Sequence, residues 1–164
     1  MATREEYAKR PREERLARIE LTSGELAEAI SGRGDEILSR RPDGKNWAAK
    51  EVICHLRDNE EWFLIRLQQI MLMDEPRFVT TNPDRWAEER QYPRNDAGAA
   101  LEAFSRRREE TLQFLRRLER EDWDRAGIHA DSRGRRSIDE FLTVIAWHDD
   151  NHLDQLRRAL EGRV

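Results

Sequence analysis

The stretch Ser137–Leu160, SIDEFLTVIAWHDDNHLDQLRRAL, decides how the chain is read. It opens on Ser137-Ile138-Asp139-Glu140, the S-x-x-E form of a capping box, in which a serine oxygen and a glutamate carboxylate satisfy each other's orphan N–H groups. Gly162 lies past its end, where a residue free to turn left-handed closes a helix. Each helical residue advances about 100° around the axis, so Ile138, Ile145 and Leu156 form one apolar stripe. His152 falls about 40° and His148 about 80° from the centre of that stripe. Both rings therefore lie on or beside the buried face, while Trp147 points towards solvent or a partner. Their i, i+4 spacing stacks them on adjacent turns, where two imidazole nitrogens can converge on one ion. Asp149 sits near the centre of the stripe, and Asp150 and Asn151 are expected to face solvent.

Working outward, three further stretches carry helical periodicity. The first runs from about Glu13 to Ile30 with Leu16, Ile19, Leu26 and Ile30 on one face, and Ser31-Gly32-Arg33-Gly34 ends it. RPDGKN, Arg41 to Asn46, is a turn by composition and offers Asn46 as the N-cap of a second helix spanning roughly Trp47 to Met73. That helix has Val52, Leu56, Phe63, Leu67 and Ile70 inward, and Pro76 stands beyond its end. The third starts at the N-cap Asp96 and reaches about Glu119, with Leu101, Phe104, Leu112 and Leu115 inward. Between the second and third, residues 74–95 hold three of the five prolines, Trp86 and Tyr92. A connection that long is a functional loop or the crossover of a bundle whose neighbouring helices run parallel. No strand pattern is strong. The expectation is an all-α four-helix bundle forming one domain over residues 1–164, with its core at about 13–161 and residues 1–12 as an N-terminal extension.

Composition narrows the function. Charged residues make up 39% of the chain and apolar ones 37%, which suits long amphipathic helices with charged outer faces. The 30 basic and 34 acidic side chains leave a net charge of -4, not the basic balance of a nucleic-acid binder. A single cysteine, Cys54, excludes an internal disulfide framework. No apolar run approaches the ~20 residues of a membrane span. The chain reads as a soluble cytoplasmic protein with no nucleic-acid or membrane partner.

The second helix supplies a third histidine. His55 lies about 60° from the centre of its stripe, also on the core side. Three neutral imidazoles with one position open is the ligand set of a catalytic zinc site, though nickel, iron and copper also accept imidazole. His129, in the polar loop before the last helix, is the least suited of the four. The competing account is an incidental histidine pair on a bundle that binds nothing. Other polar residues also occupy stripe positions: Asn59 on the second helix, Arg108 on the third and Asp149 on the fourth. A buried charge is costly unless paired. One account is an internal ion pair of Arg108 with Asp149 or Asp58. The other is a wet cavity in which Arg108 faces an anionic substrate group and Asp149 accepts a proton beside a metal-bound water. Asp58, Asp149 and Gln155 are the residues placed to orient a histidine. Trp86 and Tyr92 either line the entrance or anchor the long loop, and Trp62 either walls the pocket or packs in the core.

WAAKEVICHLRDNEEW, Trp47 to Trp62, resembles the second-helix signature of the DinB-like (YfiT-like) metalloenzyme superfamily. IAWHDDNHLDQL, Ile145 to Leu156, is similar to that family's last-helix H-x-x-x-H-x-x-Q pattern. Ala99 to Trp123 and the loop GIHADSRGRRSIDEFL resemble it too, so the likeness runs from about Leu16 to Leu160. The resemblance implies an up-down-down-up bundle with the 74–95 segment as crossover, and frequently a homodimer. It implies a divalent metal, zinc or nickel, on His55, His148 and His152. It also implies thiol chemistry, since characterised members include transferases and isomerases that use a low-molecular-weight thiol, activated on the metal as thiolate. The expected activity is that of a metal-dependent enzyme, a thiol-dependent transferase or a hydrolase acting on a small molecule, with Arg108 and Asp149 as its catalytic candidates. The alternatives are a non-catalytic metal-binding or stress-response bundle and a purely structural dimerising one.

Overall fold

The computed structural model describes residues 2–131 and 134–164; Met1, and Ser132 and Arg133 of the loop before the last helix, lie outside the described residues. The helices are α1 (Arg4–Ala8), α2 (Arg12–Ile30), α3 (Asp35–Ser39), α4 (Ala49–Leu72), α5 (Pro83–Glu89), α6 (Ala97–Arg116) and α7 (Ile138–Leu160). Three short strands, β1 (Arg77–Phe78), β2 (Ala126–His129) and β3 (Arg135–Ser137), and 3-10 turns at Tyr92–Arg94 and Arg120–Asp124 complete the chain.

Local chemistry sets most helix ends. The Ser137 hydroxyl accepts from the Glu140 N–H at 3.2 Å while the Glu140 carboxylate takes the Ser137 N–H at 2.7 Å, so the capping box forms. Asp96 caps α6 by accepting from the Ala99 N–H at 2.7 Å, as a good N-cap residue should. Asn46 does not cap α4. Asp43 captures the Lys45 and Asn46 N–H groups, each at 2.7 Å, and the Asn46 amide as well. This local capture holds Asn46 in the turn. The helix then begins after Ala48, whose N–H is taken by Glu51 at 3.0 Å.

Four long helices, α2, α4, α6 and α7, build the bundle; α4 packs against α6 and α7, and α2 against the same two. Two apolar layers give their directions. One layer joins Leu26, Val52–Leu56, Ala97–Phe104 and Leu153–Leu160. The other joins Ile19, Phe63–Ile70, Leu112–Leu115 and Ile138–Ala146. Along the bundle α2 and α7 therefore run one way and α4 and α6 the other, which is the up-down-down-up order. Parallel neighbours α4 and α6 need a crossover, and the segment holding β1 and α5 provides it. No described helix is long and apolar enough to cross a membrane.

The loop before α7 adds a feature that hydropathy did not announce, a small sheet in the order β1-β2-β3, with β1 parallel and β3 antiparallel to β2. Strands of two to four residues carry too little alternation to be read from sequence. Gly127 is required there, because a Cβ on it would stand 2.1 Å from the Phe78 ring.

Between the two apolar layers lies a polar one. All four helices switch character there, with Thr22 on α2, Glu60 on α4, Arg108 on α6 and Asp149 on α7, each at most 2% exposed. The Arg108 guanidinium donates to both Asp149 oxygens, to Glu60 Oε2 at 2.6 Å and to the Ile19 carbonyl at 2.7 Å. The Thr22 hydroxyl donates to Asp149 at 2.6 Å. Burial works against the charge on Arg108, but the two carboxylates outweigh it and hold the group protonated. A second polar intrusion explains why Arg15 displaces Leu16 from the fully buried stripe of α2. Its guanidinium reaches Asp139 at 2.9 Å and the Thr143 hydroxyl at the start of α7.

Candidate metal centre

The three histidines meet at the level of this polar layer. His55 comes from the second turn of α4, and His148 and His152 from successive turns of α7, which runs antiparallel to it. One ring nitrogen of each falls within 4.8 Å of the others. His55 Nε2 and His148 Nε2 face one another at 3.2 Å, and the His152 ring lies 4.4 Å from that of His55 and 4.3 Å from that of His148, centre to centre. The Trp47 indole packs on the His55 ring at 4.9 Å, and Phe63 meets His148 edge to face at 5.7 Å.

Burial sets the protonation of the cluster. It pushes His55 down to about 3, helped by neighbouring His152 and opposed by Asp58, because a low-dielectric site disfavours the charged ring. It pushes His148 well below the usual imidazole range, with His152, His55 and Arg108 adding to the effect. His152 is lowered too, again chiefly by burial, although Gln155 and Asp149 work the other way. All three rings are therefore neutral near pH 7 and keep a lone pair each. Gln155 Oε1 lies 2.7 Å from His152 Nδ1. An amide oxygen only accepts, so Nδ1 carries the proton and Nε2 is left as the basic atom.

The donor set fits a divalent ion. Bonds of about 2.1 Å at a tetrahedral angle separate two ligand nitrogens by about 3.4 Å. The observed separation of His55 and His148 is close to this, at 3.2 Å. The same spacing also suits a single N–H···N hydrogen bond between the two rings. His148 Nδ1 is buried with no hydrogen-bond partner among the described residues, so this ring is held by packing and by Nε2 alone.

The structure brings His55, His148, His152 and Gln155 together and engages the other candidates with different partners. His129 is buried on β2 against Phe78 and Phe141. Asp58, expected to orient a histidine, instead takes Arg57, Arg90 and the Tyr92 hydroxyl, all at 2.8 Å. Asn59 lies beside His55 instead, with its amide nitrogen, a donor and not the acceptor expected of Asp58, 3.0 Å from His55 Nδ1. Arg108 and Asp149 are bound to each other within the buried network. Tyr92 is fully buried and anchors the loop, and Trp86 packs edge-on against Trp62 at 5.9 Å. Asp150 does not face open solvent, since α1 folds over it and Tyr7 and Arg18 donate to its carboxylate. Trp147 packs against the apolar layer that holds Ile19, Phe63 and Ile138. Glu60 escaped the sequence reading, yet a signal was there: it lies four residues after Leu56 and three before Phe63, a charge on the apolar stripe. Cys54 is fully buried and its thiol is pushed up to about 11 by burial, so it stays protonated and is no nucleophile.

Comparison with known proteins agrees with this geometry. The profile of the DinB superfamily matches residues 18–156. A protein of Oceanobacillus iheyensis, provisionally named a metal-dependent hydrolase, is 24% identical over 149 residues, covering 90% of this chain and 84% of its own. YfiT of Bacillus subtilis, under the same provisional name, is 20% identical over 150 residues, covering 92% and 84%. The solved structure of YfiT, described as having an unusual four-helix bundle topology, superposes with a TM-score of 0.85 at 18% identity over 92% of this chain and 86% of that one. The chain belongs to the DinB superfamily.

Proposed function

We propose that this member of the DinB superfamily is a metal-dependent enzyme that acts on a small molecule, with His55, His148 and His152 as the ligands of a divalent ion. The observation that carries the reading is the convergence of three neutral imidazoles from two helices, with two Nε2 atoms 3.2 Å apart. Zinc or nickel suits such a donor set. When bound, the ion would act as a Lewis acid and bring a water or thiol to its nucleophilic form near neutral pH.

The chain's own residues do the rest. Burial keeps the three rings unprotonated, Gln155 fixes the tautomer of His152, and Trp47 and Phe63 shield the cluster on two sides. Arg108 and Asp149 act in this reading as positioning residues. Their network ties α7 to α2, α4 and α6 at the turn that carries His148, so the rings of α7 keep their register against His55. With Cys54 buried and protonated, the nucleophile comes from outside the chain. Water as that nucleophile makes the protein a hydrolase, the activity in the names of its relatives, and a low-molecular-weight thiol makes it a transferase.

Untagged protein is expected to bind about one zinc or nickel ion per chain, and His152→Ala to abolish that binding. Metal-loaded wild type is then assayed on a panel of esters and amides, and for conjugation of an electrophile with several small thiols. Protein that binds neither ion, and whose thermal stability ignores both, refutes the metal reading; metal-loaded protein inert on the whole panel favours a non-catalytic binding role.

A further inference from the structure

Behind His55 stand the rings of Trp47 and Tyr92, one after the other. The Trp47 indole packs on the imidazole at 4.9 Å, and the Tyr92 ring meets that indole edge to face at 6.3 Å. The backbone of Trp47 is settled on both sides. Asp43 holds the Asn46 N–H at 2.7 Å, and Glu51 takes the Ala48 N–H at 3.0 Å. What remains open is the rotamer of the indole, which is partly buried and takes the position its ring neighbours allow.

Tyr92 is fixed from several directions. It is fully buried, and its hydroxyl donates to Asp58 Oδ2 at 2.8 Å. Asp58 is itself 3% exposed and held by Arg57 and Arg90, each at 2.8 Å. The turn that delivers the ring carries Gln91 at φ +50°, a conformation costly to a residue with a Cβ. Asn95 secures that turn. Its amide donates to the Arg90 carbonyl at 3.1 Å and the Gln91 carbonyl at 3.0 Å, and its oxygen accepts from Arg57 on α4 at 2.9 Å. Burial, with Asp58 beside it, raises the Tyr92 phenol above its ordinary value, so the group stays a donor. Burial alone would anchor the crossover with any large apolar side chain. The hydroxyl adds direction, since a satisfied buried network holds its members in one arrangement.

The constraint therefore runs from Asp58 towards His55. We propose that Tyr92 is a positioning residue of the histidine centre: Asp58 fixes its ring, that ring fixes the Trp47 indole, and the indole holds the His55 imidazole with Nε2 facing His148. Asp58 thus orients a histidine by way of packed rings and not by a hydrogen bond of its own. The crossover, on the same account, is part of the metal centre. The role rests on His55, His148 and His152 being metal ligands, but the line of rings can be tested without metal.

Zinc affinity, measured by competition with a chromogenic chelator, is the first test. Trp47→Ala should weaken binding roughly tenfold, and Tyr92→Phe about threefold. Because the tyrosine acts through the indole, Tyr92→Phe should cost nothing further in the Trp47→Ala background. Gly127→Ala, which strains the small sheet, should leave zinc affinity unchanged, since lost stability alone does not alter a folded site. Unchanged affinity in Tyr92→Phe, equal losses with and without Trp47, or a matching loss in Gly127→Ala overturns the proposal. In metal-free protein the His55 ring protons, assigned by NMR with His55→Ala, give the second test. Tyrosine and phenylalanine rings shift nearby protons alike, so a change in Tyr92→Phe reports movement of the indole. Wild type that binds no zinc, while those signals move in Tyr92→Phe, overturns the metal reading alone. Protein that binds zinc, with neither affinity nor signals responding, overturns this proposal alone; no zinc and no movement overturns both.

Discussion

Replacing Arg108 by Met would strike the centre of the bundle. The guanidinium is 2% exposed and donates to Asp149, Glu60 and the Ile19 carbonyl, while both carboxylates are 1% exposed. Methionine has about the right length and leaves little cavity, so the cost comes from two carboxylates abandoned in a dry layer. Breaking a buried pair from one side costs about 3–5 kcal/mol. That is a large share of the roughly 5–15 kcal/mol that holds a domain together. In urea at pH 7, followed by circular dichroism on metal-free protein, the midpoint should fall by roughly 2 M. Apolar replacement of the whole network is often neutral, so Arg108→Met combined with Asp149→Leu and Glu60→Met should recover most of that loss. Thr22→Val, which removes one hydrogen bond to Asp149, should cost about 1–2 kcal/mol. If Arg108→Met unfolds within about 1 kcal/mol of wild type, the network is not what ties the four helices together at this level. Arg108 would then be free for the substrate-facing role that its sequence position also allowed.

Gln155→Ala should weaken metal binding roughly 10–100-fold, measured by competition with a chromogenic chelator, because nothing then selects the His152 tautomer. Unchanged affinity would remove Gln155 from the site. Gly127→Ala should lower stability by about 1–3 kcal/mol in thermal unfolding, since the new methyl would overlap the Phe78 ring; an unaltered melting temperature would show that the ring moves aside freely. Burial raises the Asp139 carboxyl, but its hydrogen bonds from Arg15 and Arg12 outweigh this and hold it below its ordinary value. A carboxylate lowered on folding contributes stability that is present above its unfolded pKa and lost as the pH falls through the folded one. Asp139→Asn should therefore flatten the acid side of the stability profile below about pH 4, and an unchanged profile would count against the Arg15–Asp139 tie.

Much of this architecture was legible in the residues themselves, because it rests on local chemistry. Ser137 and Glu140, or Asp96 and the Ala99 N–H, meet within one turn, so helix starts follow from their spacing. The up-down-down-up order came with the family resemblance, and the 74–95 crossover gave it a physical reason. Asn46 misled because Asp43 takes both its backbone N–H and its side-chain amide and so holds it in the turn, an outcome that spacing alone does not settle. The β1–β2 pairing joins residues far apart in the chain, in strands too short to show alternation.

The histidines divide along the same line. Period and spacing placed His55, His148 and His152 on inward faces, since the angle around a helix axis depends only on sequence separation. Which nitrogen faces which, and which neighbour orients each ring, depends on rotamers and on the axial register of α4 against α7. Only packing decides those. Hence Asp58 turned to Arg57 and Tyr92, Asn59 moved in beside His55, and Glu60, one helix position further on, joined Arg108 and Asp149 across the core. A buried charge must find a partner, and those that Arg108 finds lie on other helices, at a distance that no local pattern encodes.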